Sequence, residues 1–303
     1  MTPTTDGPGF VLLNPAAAGG QAARLAPRIE DHLRRNAPTV SLHQSTSVDQ
    51  ALALLQAWPS GSRVVLAGGD GTLHRMLPAV LARGHRLGLL PCGTGNDTAR
   101  AFGVHRLGWA DALDFALQGQ AQATDVGEVQ SEGRTTPFVS SLAAGFDAAV
   151  AQRALRAPPW LRGMPRYLHA TLAEMAALRR FEIQVWADGV DIHHGDTLFA
   201  STLNTRSYGS GMPVAPDADI ADGRLDLVIA GRFGRVGALA MMPLLMAGLH
   251  TRHPRVALHS FKHLRIKALP ALPLAADGEP LPDATEVQVR VRAGALWAVR
   301  KLA

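Results

Sequence analysis

The chain has 303 residues, 47% of them apolar, with 30 Lys and Arg against 25 Asp and Glu for a net charge of +5. This is globular composition, which excludes a disordered chain, and the length suits about two domains. The single cysteine, Cys92, excludes an internal disulfide and a cysteine-rich zinc site.

The first part of the chain alternates short apolar runs with helical patterns. Phe10 to Leu13 reads as a buried strand ending in Asn14-Pro15. Gln21 to Arg35 reads as a helix with Ala22, Leu25, Ile29 and Leu33 on one face. Val40 to His43 is a second strand, and Ser47 is placed to cap a helix over Val48 to Trp58. Arg63 to Ala67 is a strand running into Gly68-Gly69-Asp70-Gly71, followed by a helix over Thr72 to Arg83. Leu87 to Leu90 is a further strand, leading into Pro91-Cys92-Gly93-Thr94-Gly95-Asn96-Asp97. Such alternation predicts a doubly wound α/β domain over residues 1–124, with a parallel sheet covered on both faces. Ligands meet these sheets at the carboxyl ends of the strands, where all the Gly/Asn loops fall.

Beyond Thr124 the pattern changes. Strands are predicted at Val126 to Val129, Pro137 to Leu142, Ile183 to Ala187, Leu198 to Leu203 and Leu225 to Ile229. Others follow at Leu264 to Ala268, Val287 to Val291 and Leu296 to Val299. Helical patterns cover Arg166 to Phe181 and Arg235 to Leu249. Residues 125–303 therefore read as a mostly antiparallel β domain, whose last strand or tail is free to pack back on the first domain. The apolar run Val236 to His250 is too short for the ~20 residues of a membrane span, and Pro243 interrupts it. Met1 to Gly9 lacks a basic stretch followed by an apolar core, so a cytoplasmic protein is expected. The modest positive charge suits a nucleotide, a phosphorylated ligand or an anionic membrane, and is too dispersed for nucleic acid.

Two loops carry candidate chemistry. Gly68-Gly69-Asp70-Gly71-Thr72 lets backbone approach a ligand at a helix N-terminus, which is an anion site. A carboxylate beside phosphates implies an intervening cation, so Asp70 points to Mg²⁺. The same loop also reads as a plain turn capping a helix. Gly93-Thr94-Gly95-Asn96-Asp97 repeats the pattern, again with a helix cap as the alternative. Neither loop fits the Walker or the dinucleotide glycine pattern.

With Asn14-Pro15 upstream, these loops resemble the diacylglycerol kinase catalytic family, which includes sphingosine, ceramide and bacterial soluble lipid kinases. The resemblance continues through Asp125-Val126-Gly127, Gly145-Phe146-Asp147, and Asn204 with Tyr208-Gly209-Ser210-Gly211-Met212. Ala215-Pro216-Asp217-Ala218, Asp222-Gly223-Arg224-Leu225-Asp226 and Asp277-Gly278-Glu279 complete it, in order over nearly the whole chain. It implies an α/β nucleotide-binding domain, a C-terminal β-sandwich, and an active site in the cleft between them holding ATP and Mg²⁺. Asn14, Pro15, Gly68, Gly69, Asp70, Gly71, Thr72, Gly93, Thr94, Gly95 and Asn96 are implied to line the nucleotide. Asp70 and Asp125 are implied in the Mg²⁺ and phosphate network, Asp277 as general base, and Glu279 as its neighbour. Asp-Gly is also a strong hairpin-turn pair, which is the other reading of Asp277-Gly278. Asp222, with the main-chain carbonyls of Asp219 and Arg224, is implied to hold a structural Mg²⁺; an acidic surface turn is the alternative.

This chain departs from the family's pattern at three places: Ala16 to Gln21 lacks a basic residue, Arg75 replaces a common Glu, and Ser210 replaces a common Gly. The histidines lack zinc-site spacing, and Cys92 reads as a packing residue. The stretch Arg153 to His169 mixes Arg153, Arg156, Arg162 and Arg166 with Leu155, Trp160, Leu161 and Met164, which suits an anionic bilayer or an ordinary loop and helix. The expected activity is ATP- and Mg²⁺-dependent phosphorylation of a lipid hydroxyl, of diacylglycerol type, at a membrane surface. The alternatives are a kinase for a non-lipid hydroxyl such as NAD and a catalytically weakened binding protein. Peripheral contact with the inner membrane face and a homodimer are compatible with this reading; a nucleic-acid partner is not expected.

Overall fold

The computed structural model describes residues 7–93, 95–158, 160–161 and 164–301. The chain divides into two compact units: Met1–Thr124 with Gly294–Ala303, and Asp125–Ala293.

The first unit is built on parallel strands β1 (Gly7–Leu13), β2 (Ser41–Gln44), β3 (Ser62–Gly68) and β4 (Arg86–Pro91), ordered β2-β1-β3-β4. Trp297 and Ala298, near the end of the chain, add a further parallel pairing beside β4. Helices α1 (Ala26–Asn36), α2 (Val48–Ala57), α3 (Asp70–Arg83), α4 (Asp97–Ala101) and α5 (Trp109–Gln118) connect and flank the strands. Strand β3 is buried along almost its whole length, as a sheet covered on both faces requires. Val11, Leu13, Val65, Ala67 and Leu90 pack against Ile29 and Leu33 of α1 and Leu113 and Ala116 of α5. The alternate residues face the other side, where the Phe10 ring lies 4.3 Å from the Trp58 ring at the end of α2.

Several boundaries differ from the sequence reading. The helix predicted from Gln21 starts at Ala26, after two 3₁₀ turns at Ala17–Gly20 and Ala22–Leu25. Pro27 in the first turn of α1 has no N–H to donate, so it suits a helix start and not an interior. Helix α3 starts at Asp70, not Thr72, because Gly69 is the extended cap residue, and Asp70 thus sits in the first turn. Ser47 caps α2 as predicted, its hydroxyl accepting the Gln50 amide at 3.1 Å.

The second unit is antiparallel in its pairings. It contains most of β5 (Ala121–Ser131), then β6 (Arg134–Phe138), β7 (Ser141–Ala144), β8 (Phe181–Ala187), β9 (Val190–Thr197) and β10 (Phe199–Leu203). It continues with β11 (Leu225–Ala230), β12 (Val256–Phe261), β13 (His263–Ala276) and the first part of β14 (Glu279–Val299). Helices α6 (Phe146–Leu155), α7 (Met164–Ala176) and α8 (Arg235–Met246) interrupt the strands. Strand β13 serves both layers of the sandwich: Leu264 to Leu269 pair with β8, and Leu274 to Ala276 pair with β7. Phe138, Phe181, Leu227, Phe261, Ile266 and Val287 are among the side chains filling the core.

The strand predicted over Pro137 to Leu142 is two strands, β6 and β7, broken where the Val139 and Ser140 amides turn to a side chain instead of a neighbouring strand. Two predicted strands at the chain end are one, β14, because the small residues Ala293-Gly294-Ala295, with Gly294 at φ 60°, interrupt the apolar alternation without ending the strand. Phe181 opens β8 and enters the core, so the helix predicted through it stops at Ala176. Helix α6 and strands β9 and β12 went unread: α6 is alanine-rich, and β9 is a polar edge strand paired only with β8.

Candidate active site

The sequence-predicted residues gather into one constellation in each unit. In the first, strands β1, β3 and β4 are neighbours, so the loops leaving their carboxyl ends lie together. The Asn14 amide donates to the Thr72 hydroxyl at 2.8 Å, and its carbonyl oxygen accepts the Ala16 amide at 3.0 Å. This ties the Asn14-Pro15 loop to the start of α3. The glycines are explained by the protein itself. A Cβ on Gly93 would lie 2.6 Å from both Gly69 Cα and Asn96 Oδ1, and one on Gly68 would lie 2.7 Å from the Thr72 side chain. Asn96, in left-handed backbone at φ 52°, closes its loop by accepting the Gly93 amide and donating to the Gly93 carbonyl.

Asp70 does not stand alone among the phosphate-binding candidates. Its carboxylate accepts the Asp97 amide at 2.9 Å and the Thr98 amide at 3.1 Å, and so caps α4. With a backbone amide already on each oxygen, the carboxylate fits a cation held through water better than one chelated by both oxygens. The buried Thr98 hydroxyl beside it lacks a hydrogen-bond partner among the described residues. That orphan, the open N-terminus of α3 and the uncharged donors Asn14 and Thr72 fit a phosphate chain with a hydrated Mg²⁺. Gly95 lies in the same loop; Thr94 lies outside the described residues. Arg75 is an exposed residue of α3. Burial pushes the Cys92 thiol up to about 11, which makes it a packing residue and not a nucleophile.

In the second unit, Asp277 and Gly278 are indeed the hairpin turn between β13 and β14, both at positive φ (48° and 83°). The turn also presents a carboxylate. It accepts the amides of Val139 at 3.0 Å, Ser140 at 2.7 Å and Ser141 at 3.2 Å, while the Asp277 amide donates to the Ser141 carbonyl. The break between β6 and β7 supplies these donors. Glu279, the first residue of β14, pairs across the hairpin with Ala276. Asn204 links this cradle to Asp125: its side-chain amide donates to the carbonyls of Val139 and Asp125, both at 2.8 Å. The Asn204 carbonyl oxygen is buried without a partner among the described residues. Asp125, itself buried, accepts the Gly223 amide at 2.6 Å.

Gly223 belongs to the acidic loop. Asp219 accepts the Ala221 amide and Asp222 the Arg224 amide, each within its own turn, and both aspartates are exposed. No group of three His, Cys, Asp or Glu side chains is disposed to hold a metal among the described residues. The donor set of Asp222 with two carbonyls nevertheless consists of hard oxygens, the kind Mg²⁺ prefers. The field there is negative. Burial first, and then Asp222, push the Asp226 carboxyl up to about 6.

One cluster escaped the site reading although Asp147 and Tyr208 lie in the quoted motifs. Asp147 accepts the Ser201 hydroxyl at 2.5 Å and the Tyr208 hydroxyl at 2.8 Å. Burial raises its carboxyl above the usual range. Gly145 before it is obligatory: at φ 112°, a Cβ would strike the Leu198 carbonyl at 2.7 Å. Ser210 stands at φ 72°, which shows why glycine suits that position.

Comparison with known proteins agrees with this architecture. Residues 8–129 match the diacylglycerol kinase catalytic domain, and residues 140–300 match the YegS C-terminal NAD kinase beta sandwich-like domain. A diacylglycerol kinase of Mycobacterium tuberculosis is 32% identical over 277 residues, covering 89% of each chain. Another, from Bacillus subtilis, is 26% identical over 226 residues, 71% of this chain and 70% of its own. Among solved structures, a diacylglycerol kinase from Bacillus anthracis shares the fold with a TM-score of 0.74 at 16% identity, covering 99% of this chain and 98% of that one. An NAD kinase from Archaeoglobus fulgidus in complex with ATP has a TM-score of 0.51 at 12% identity, covering 94% and 90%.

Proposed function

Since the chain belongs to the diacylglycerol kinase catalytic domain family, and is thereby a phosphotransferase with an alcohol acceptor, we propose that it transfers the γ-phosphoryl group of ATP to a lipid hydroxyl of diacylglycerol type. The observation that carries this reading is the Asp277 carboxylate, fixed by three backbone amides in an otherwise ordinary hairpin turn. A turn needs no such cradle; a base that must meet a hydroxyl in one orientation does.

In this reading Asn14, Pro15, Gly68 to Thr72 and Gly93 to Asn96 bind the nucleotide. Asp70 orients the water shell of Mg²⁺, with Asp125 in the same network. The metal supplies charge neutralisation on the phosphate oxygens. Asp277 accepts the proton of the acceptor hydroxyl as its oxygen bonds to the γ-phosphorus and the bond to the bridging oxygen of ADP breaks. Glu279 stands beside it, and Asn204 holds Val139 and Asp125 in register, so it is a positioning residue. Asp222, with the Asp219 and Arg224 carbonyls, would hold a second, structural Mg²⁺ in the loop whose Gly223 amide donates to Asp125. Its readout is thermal: Mg²⁺ raises the melting temperature of the protein but not of Asp222→Ala.

The decisive test is label transfer from γ-labelled ATP to mixed micelles of diacylglycerol, sphingosine, ceramide, monoacylglycerol and phosphatidylglycerol, with NAD as soluble acceptor. The expected result is labelled diacylglycerol, reduced at least ~100-fold in Asp277→Asn. Asparagine tolerates the left-handed turn, so the fold survives. Labelled NAD with no labelled lipid replaces the lipid reading by a soluble acceptor. Tight ATP binding without transfer to any acceptor replaces it by a binding protein.

A further inference from the structure

We propose that the outer face of the α7–α8 helix pair is a docking surface for an anionic lipid bilayer. The two helices share one base. Met175 of α7 packs with Ala238 and Met241 of α8 around Phe233. Their outer faces are solvent-exposed among the described residues. Val236 is 83% exposed, and Leu239, Leu244 and Met246 of α8 and Leu168 and Leu172 of α7 are also exposed. Trp160, just before α7, is 78% exposed. Scattered exposed leucines need no explanation, but this many on two adjoining helices do. No helix among the described residues is long and apolar enough to cross a membrane, so the surface suits lying on a bilayer and not spanning it.

Charge selects the occupant. Residues 148–181 and 231–262 together hold eleven Lys and Arg and one acid, Glu174. The rest of the chain holds nineteen Lys and Arg against twenty-four acids. The protein's net excess of positive charge therefore lies in the segments that carry the exposed apolar residues. Glu174 is buried and paired with Arg153 at 2.5 Å. Beside the start of α8, Arg232 and Arg255 line an open pocket with His193, His194 and Asp196. Asp196 meets Arg232 only at 3.8 Å. Basic side chains around an apolar face match phosphate headgroups above acyl chains. A second copy of the same face would bring like charges together. Arg162, one of the eleven, lies outside the described residues, so only its charge is counted here.

The purpose of such a surface rests on the lipid-acceptor reading, but its test does not. Co-sedimentation with phosphatidylglycerol–phosphatidylcholine vesicles, lacking diacylglycerol and ATP, measures docking without catalysis. We expect binding at least ~10-fold tighter than to pure phosphatidylcholine and weakened by salt, since each arginine near the surface contributes about fivefold. Val236→Glu with Leu239→Glu should lose at least ~10-fold, as should Arg232→Ala with Arg235→Ala. Both pairs are exposed, and an unchanged melting temperature checks that they fold. Equal binding of wild type and both variants overturns the proposal. So does a wild-type dimer that binds no vesicles and that Val236→Glu converts to monomer, which would assign the face to a second copy. Vesicle binding without phosphoryl transfer keeps this inference and removes the kinase reading; transfer to micelles without vesicle binding does the reverse.

Discussion

Asp70 and Asp277 are both carboxylates held by backbone amides at the end of a strand, yet they are held in different ways. Asp70 opens α3 and reaches the first amides of α4, so its partners are 27 and 28 residues away within one parallel sheet. Asp277 sits in a hairpin turn and draws amides from a strand break 136 to 138 residues away. A parallel sheet brings its strand ends together by topology, and glycines are needed only to let the loops touch. An antiparallel sandwich has no such common edge, so the site there requires a break in one strand aligned with a turn between two others. The first arrangement tolerates little bulk; the second depends on hydrogen bonds.

That contrast can be broken by substitution. Asn204→Ala should cost the most, about 3 kcal/mol in chemical denaturation, because it strips the donor from two carbonyls in a buried setting. A loss under ~0.5 kcal/mol would show that the sandwich site does not depend on its hydrogen bonds. Gly93→Ala should cost about 2 kcal/mol and weaken ATP binding, since the new methyl meets Gly69 backbone at 2.6 Å. Gly278→Ala meets nothing within 4 Å and carries only the strain of φ 83°, about 1 kcal/mol. Equal costs at the two glycines would remove the distinction between a crowded site and an open turn.

Asp226 sharpens the comparison, because its carboxylate has burial without a cradle. Its folded value of about 6 lies above the ordinary 3.8, so the folded state binds the proton more tightly. The stabilising contribution of protonation is complete below ~4 and is lost as pH rises through about 6. Asp226→Asn should therefore stabilise the protein at pH 8 by on the order of 1 kcal/mol after solvent screening, read as a higher melting temperature. The gap should close near pH 4. A gap independent of pH would mean that the effect is not the carboxyl's titration. The smallest effect is expected for Ser210→Gly, about 0.5 kcal/mol of stabilisation from relief of φ 72°. An unchanged melting temperature would show that the turn already absorbs the strain.

Much of the first unit was legible because its signals are local. Strand β3 is a continuous apolar run, Ser47 announces α2, and the glycine loops interrupt apolar runs where strands end. The meaning of those glycines was not legible, since the crowding between Gly69 and Gly93 depends on two loops meeting. In the second unit Asp277-Gly278 was readable as a turn and, by resemblance, as a catalytic position. Its cradle was not, because Val139 and Ser140 continue the apolar pattern of a strand while their amides leave the ladder. Asp147 went unassigned because Ser201 and Tyr208, which define its surroundings, lie 54 and 61 residues further on.

The last strand has a consequence for how the protein is made. Gly294–Ala303 belong to the same unit as Met1–Thr124, and Trp297 and Ala298 complete a sheet whose other strands are synthesised first. During translation, domains commonly fold in the order in which they emerge. Here the first unit to leave the ribosome lacks the strand beside β4 until Trp297 and Ala298 have been made and have emerged. The whole intervening sandwich is made during that wait, so a nascent chain stalled short of Trp297 holds an exposed strand edge ready to pair with a neighbour.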